Sequence, residues 1–251
     1  SLAAITVTDD VATQLLAPTG KSLKDWQDAL DTGVPAMGMA IPTLAVAATL
    51  DIQQEKRTGR NVLARLPAGK THRQSTIVVG AHVDHLGHGV GANSLAREEE
   101  KGQVHYGADD NASGVAGLLE IAQYLSDLQA KGKLPLKHDL LFAAWSGEEL
   151  GLLGSSYFTR TFGGRTTEPT SLRPALAAYL NMDMIGRLDK NVIVQGVGSS
   201  SLWLGLLEHA NAPIGLPIVT QHDSYLPTDA TALYLKEVPI LNAFTGAHVD
   251  Y

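Results

Sequence analysis

Histidines and carboxylates follow short apolar runs at four places along the chain. His82 and Asp84 follow TIVVGA, Glu148 and Glu149 follow LLFAAWSG, Asp183 follows AAYLNM, and His248 follows PILNAFTGA. Asp109 lies in GADDNASG, residues 107–114, just ahead of a segment with helical periodicity. Each piece has a plain alternative. His82-Val-Asp84 reads by itself as a surface pair, although alternate residues at a strand end share a face. GADDNASG reads equally as a turn and helix cap. Glu148 and Glu149 repel one another beside the apolar FAAW, which a nearby cation would explain, but acids also favour helix starts. Asp183 sits amid apolar neighbours and needs a partner; His248 alone says nothing. Together the set is more informative. Two imidazoles and several carboxylates, in a chain with no cysteine, suit a hydrolytic zinc pair rather than a structural zinc site. Paired ions need a bridging carboxylate and a spare carboxylate as base, and the set supplies both.

Such donors can meet only if the intervening segments bring the run ends to one rim. Apolar runs over 76–80, 139–145, 177–182, 192–195 and 239–244 read as strands. Ser113–Leu128 carries apolar residues at 115, 118, 119, 122, 125 and 128, a helical period. Leu150–Phe162, Ser201–Ala210 and Thr228–Lys236 read as further helices. This alternation predicts an α/β fold: a mostly parallel twisted sheet with helices on both faces, and a metal site at the carboxyl ends of its strands. Upstream, 3–7, 43–52 and 61–66 read as strands, and Ser22-Leu-Lys-Asp25 as a helix start of the capping-box type. A soft boundary falls in the polar stretch 53–59.

The bulk properties exclude several classes. The chain has 251 residues, 44% hydrophobic and 18% charged, enough to build a core. A net charge of -7 and no basic stripe argue against nucleic acid or an anionic membrane as partner. The least charged stretch, 34–50, is too short to span a bilayer and is broken by Pro35, Gly38 and Pro42. The N-terminus shows no basic region followed by an apolar run, so no export signal is read in it.

The motifs AHVDH (81–85), GADDNASG (107–114), SGEELGLLGS (146–155), NMDMIG (181–186) and TGAHVDY (245–251), in this order, resemble the M28 family of zinc aminopeptidases. The resemblance implies a zinc-dependent exopeptidase-like fold over 56–251 and two zinc ions. It implies Asp109 as the bridge, His82 and Asp183 at one ion, and Glu149 and His248 at the other. Glu148 would be the general base and Asp84 would orient His82. It also implies a cis peptide after the bridging aspartate, hence at Asp109–Asp110. Residues 1–55, with ITVTDDVATQLL and KSLKDWQDALDTG, resemble the tail of a protease-associated domain. Members continue beyond the last motif, so the peptidase domain is read as truncated at its C-terminus. Many relatives have Asp-His where this chain has Asp229-Ala230.

The implied activity is hydrolysis of the N-terminal residue of a peptide, by a secreted or periplasmic enzyme. Three alternatives remain: a glutaminyl cyclase-like site with one zinc, a carboxypeptidase using Arg187 to hold a carboxylate, and a non-catalytic binding domain.

Overall fold

The structure is a computed structural model. It describes residues 6–33, 38, 40–41, 44–45, 47, 49, 56–69, 73–89, 94–164 and 168–248. The chain divides into two compact units, residues 1–56 and 57–251. In the first, α1 (Asp9–Leu16) and α2 (Leu23–Asp31) are regular. The expected capping box forms: Asp25 N–H donates to Ser22 Oγ at 3.1 Å and Ser22 N–H to Asp25 Oδ2 at 2.8 Å, satisfying two orphan helix donors. The strands expected over 3–7 and 43–52 fall largely outside the described residues.

The second unit is built on one seven-stranded sheet. Its strands are β1 (Val62–Leu66), β2 (Thr76–His82), β3 (Asp139–Trp145), β4 (Leu176–Met182), β5 (Val192–Gln195), β6 (Ile218–Gln221) and β7 (Ile240–Phe244), in spatial order β1-β3-β2-β4-β7-β5-β6. Most neighbours are parallel; β1–β3 and β5–β7 are antiparallel. The central strands TIVVGAH, DLLFAAW and LAAYLNM are nearly continuous apolar runs, as strands covered on both faces require.

Alternation along these strands sorts side chains to two cores. Val79, Leu140, Phe142 and Met182 pack with Leu118 of α3 (Gly114–Ala130). Val78, Trp145, Tyr179 and Ile240 pack on the other face with Phe158 of α4 (Leu153–Thr161) and Leu233 of α6 (Ala230–Tyr234). Each fully buried aliphatic chain such as Leu176, Leu233 or Ile240 contributes about 1.5–3 kcal/mol.

Two departures from the expected elements have local causes. Helix α4 starts at Leu153 rather than Leu150 because Gly151 and Leu152 have φ of 101° and 57°, incompatible with a right-handed helix. Strand β6 escaped the sequence reading: IVTQ is four residues long, at a sheet edge and mostly exposed, so it lacks a buried-strand signature. Helix α5 (Trp203–Asn211) starts two residues later than expected.

Candidate metal centre

The carboxyl ends of β2, β3, β4 and β7 deliver the candidate ligands, as a parallel sheet does at its rim. His82 closes β2 and is 1% exposed. Its Nδ1 lies 2.9 Å from the backbone carbonyl of Asp84, which accepts the Nδ1 proton and leaves the Nε2 lone pair facing the site. Nε2 lies 3.0 Å from Asp110 Oδ1 and 3.4 Å from Asp183 Oδ1. Asp84 thus orients His82 through its main chain; its carboxylate is 4.0 Å from Nδ1. That carboxylate instead accepts the N–H groups of Glu148 (3.1 Å) and Glu149 (3.4 Å), holding the turn after β3.

Among the described residues, two groups of donors gather with all ligand atoms within 4.8 Å: His82, Asp110 and Asp183, and His85, Asp110 and Glu149. Asp110 belongs to both. In the second group His85 Nδ1 is 2.7 Å from Glu149 Oε1 and 3.9 Å from Asp110 Oδ2.

The sequence reading put Asp109, not Asp110, between the groups. Here Asp109 turns away: its Oδ1 accepts Gly186 N–H at 2.6 Å, and its Oδ2 lies 3.1 Å from His248 Nε2. The residues beside Asp110 stitch its loop to the exit of β4. Asn111 Nδ2 donates to Met182 O at 3.0 Å and its Oδ1 accepts Gly114 N–H at 3.1 Å. Ser113 Oγ accepts Ile185 N–H at 3.0 Å. With Asp109, Asn111 and Ser113 spent on that seam, Asp110 is the residue left facing the ligands. Its dihedrals, φ -104° and ψ 95°, leave the helical region. The cis peptide lies one bond later than expected, at Asp110–Asn111. His248 is brought to the same rim through Asp109, but not into a group with Glu149. His85 and Asp110 were missed as candidate donors; both lie inside quoted motifs, and only their spacing to other donors in space distinguishes them.

The electrostatics call for a cation. A cavity of about 500 Å³ is lined by His82, Asp110, Glu148, Glu149 and Asp183 and, among the described residues, by no lysine or arginine. Burial lowers the His82 pKa, but hydrogen bonds to Asp110 and Asp183 and the charges of Asp183 and Glu148 overcome it and push it up to about 12. Burial first, then the charges of Asp229, Asp183 and Glu149, push Glu148 up to about 8, against the lowering effect of His82. Glu149 is raised for the same leading reason. Imidazole nitrogen and carboxylate oxygen, without sulfur, match the ligand chemistry of zinc in catalytic sites.

A second cavity, about 420 Å³, adjoins the rim on the side of His85, Asp110 and His248, and includes Arg97, Tyr106 and Arg187.

The family description "Peptidase family M28" matches residues 61–251. Leupeptin-inactivating enzyme 1 of Streptomyces exfoliatus is 35% identical over 194 residues, 77% of this chain and 37% of that protein. Leucine aminopeptidase 2 of Trichophyton rubrum is 29% identical over 234 residues, 84% of this chain and 40% of that protein. The chain therefore spans about two fifths of these relatives. Among solved structures, the zinc aminopeptidase BSAP from Bacillus subtilis matches with a TM-score of 0.52 at 23% identity, over 74% of this chain and 40% of that one. The glutaminyl cyclase of Porphyromonas gingivalis matches with 0.51 at 20% identity, over 74% and 62%. These two likenesses confirm the α/β fold, while the family match covers the whole motif-bearing unit; the chain belongs to peptidase family M28.

Proposed function

We propose that this chain carries the active site of a two-zinc aminopeptidase that releases the N-terminal residue of a peptide. The observation that carries the reading is the pair of donor groups sharing Asp110. His82 and Asp183 would hold one ion. Glu149 and one imidazole, His85 or His248, would hold the other. Bound zinc supplies Lewis-acid polarisation of the scissile carbonyl and a water of lowered pKa.

Glu148 supports the proton chemistry from this chain's side. It lines the 500 Å³ cavity beside His82 and Asp183, and its backbone is held by Asp84. It belongs to neither donor group, so its carboxylate is free to take a proton from water and return it to the leaving amine. Its pKa of about 8 without a cation is lowered by a nearby positive charge, toward the range a base needs at neutral pH. The 500 Å³ cavity would receive the N-terminal side chain, and the cavity with Arg97 and Arg187 the remainder of the peptide. The single-zinc cyclase reading is disfavoured by the second donor group, which that chemistry leaves unused.

No described helix is long and apolar enough to cross a membrane. A secreted or periplasmic location and a protease-associated origin for residues 1–55 belong to this proposal, on the resemblance in the sequence. The test is Glu148→Gln in zinc-loaded protein assayed with leucyl-4-nitroanilide: both ions retained and turnover reduced by roughly 10²–10⁴-fold. Loss of an ion instead would make Glu148 a ligand, and unchanged turnover would remove it from the chemistry.

A further inference from the structure

One face of the sheet changes character along its strands. On β4 and β7 the residues Tyr179 and Ile240 sit in the apolar core, and Asn181 and Asn242 follow two positions later. In the hydrogen-bonded register, Asn181 is the direct neighbour of Asn242, Asn242 of Gln195 on β5, and Gln195 of Gln221 on β6. Four amide side chains therefore stand side by side across four strands.

They form a chain of hydrogen bonds with one direction. Trp145 Nε1 donates to Tyr179 Oη at 2.8 Å. An indole N–H can only donate, so the tyrosine hydroxyl accepts there and donates onward to Asn181 Oδ1. Burial holds Tyr179 well above its ordinary pKa, so the hydroxyl keeps its proton. Asn181 Nδ2 then donates to Asn242 Oδ1 at 2.8 Å, Asn242 Nδ2 to Gln195 Oε1 at 2.8 Å, and Gln195 Nε2 to Gln221 Oε1 at 2.9 Å. Gly80 makes room for the first link: a Cβ there would lie 2.7 Å from Trp145 Nε1 and 2.7 Å from Tyr179 Oη. Because the first donor is fixed, so is the orientation of every amide after it.

The direction has a chemical consequence. Each carboxamide nitrogen carries two N–H groups, and the chain uses one on Asn242 and one on Gln195. Both residues line the 500 Å³ cavity beside His82 and Glu148, among the apolar walls Leu152, Met184 and Phe244. Asn242 is 1% exposed, so its remaining donor is not dispersed into bulk water. The floor thus carries amide donors, the walls offer apolar surface, and the lining also holds the carboxylates of Asp110, Glu148, Glu149 and Asp183.

We propose that Gln195 and Asn242 read a neutral hydrogen-bond acceptor at the end of the substrate's N-terminal side chain, so that this cavity takes glutamine or asparagine before leucine. The proposal rests on the aminopeptidase reading for its substrate, but the pocket chemistry is tested separately. A leucine side chain offers the donors of Gln195 and Asn242 no partner, whereas a carboxamide oxygen pairs with them. A carboxylate side chain is an acceptor too, but it meets the carboxylate of Glu148, with no lysine or arginine among the described residues of the cavity to balance it.

The experiment uses zinc-loaded protein and two readouts: calorimetric binding of free L-glutamine and L-leucine, and kcat/KM with glutaminyl- and leucyl-4-nitroanilide. Wild type is expected to favour glutamine in binding. Gln195→Met, of similar size and without a donor, is expected to lower the glutamine-to-leucine ratio about tenfold. Gln195→Glu, which keeps the shape and removes the N–H groups, is expected to do the same should the methionine variant fold poorly. A preference for leucine in wild type, a ratio unmoved by both variants, or no binding of either amino acid overturns the proposal. The expected binding ratios with no turnover of either anilide would uphold the pocket and sink the aminopeptidase reading.

Discussion

Exchanging the two adjacent aspartates in turn tests which of them is the proposed metal bridge and which its scaffold. Asp110 is the one residue common to both donor groups, and Asp109 belongs to neither. In the proposed two-zinc site, Asp110→Asn would remove a unit negative charge from the neighbourhood of two dications. At about 4 Å and an effective dielectric of about 20, one such charge attracts a dication by about 8 kcal/mol. Much of this is offset because a carboxylate as buried as Asp110, 8% exposed, has already lost several kcal/mol of hydration. A net loss on the order of 3 kcal/mol per ion is about 100-fold in affinity. Asp109→Asn keeps an oxygen to accept Gly186 N–H and removes only a charge outside the ligand groups. Its effect is expected to stay near the lower end of the roughly 10–100-fold seen for outer-shell partners. The assay is zinc stoichiometry after dialysis, together with competitive titration against a chelator, on both variants and wild type. Retention of both ions by Asp110→Asn, with their loss in Asp109→Asn, would refute the assignment and return the bridge to Asp109.

Three further outcomes follow from the geometry. His85→Ala is expected to weaken the second ion more than His248→Ala does, because His85 lies 2.7 Å from Glu149 while His248 reaches the rim through Asp109; the reverse order in a zinc titration would make His248 the ligand. Gly186→Ala places a Cβ 2.8 Å from Asp109 Oδ1 and 3.0 Å from Ser113 Cβ, and is expected to lower stability by about 1–3 kcal/mol in urea titration; an unchanged midpoint would mean the seam yields freely. Asp229 is fully buried, neither of its carboxylate oxygens has a hydrogen-bond partner among the described residues, and burial first, with the charges of Asp183 and Asp84, pushes it up to about 7 against the lowering charge of His82. A raised folded pKa means that ionisation disfavours the fold, so the Asp229 contribution to stability falls as pH rises from about 4 through about 7 and then levels. Metal-free Asp229→Asn should match wild type near pH 4 and exceed it at pH 8 by about 4 kcal/mol. A gap that does not open with pH would show that Asp229 ionises without penalty.

Much of the architecture was legible in the sequence because long-range order here follows from local patterning. Buried parallel strands must be apolar on both faces, so DLLFAAW and VIVQ could be bounded to the residue. The helix after GADDNASG shows its period in the same way. That the chain ends carboxylates and imidazoles at strand exits was equally visible, and topology alone then places them on one rim. Short edge strand β6 was not, because an exposed four-residue pairing partner needs no apolar pattern.

Choosing between neighbouring acids was beyond the sequence. Asp109 and Asp110 have the same side chain, and their roles part only because Gly186 N–H and His248 claim the first while the turn of the loop aims the second at His82. Asp84 is a similar case: it was read as orienting His82, and the strand exit decides that its carbonyl meets that ring while its carboxylate goes to the Glu148–Glu149 turn. The amide ladder was hidden for the same reason. Asn181, Asn242, Gln195 and Gln221 lie far apart in the chain, and nothing in their local contexts marks them as partners. Hydrogen bonds act over about 3 Å, so which groups meet is decided by strand register, which the folded sheet alone defines.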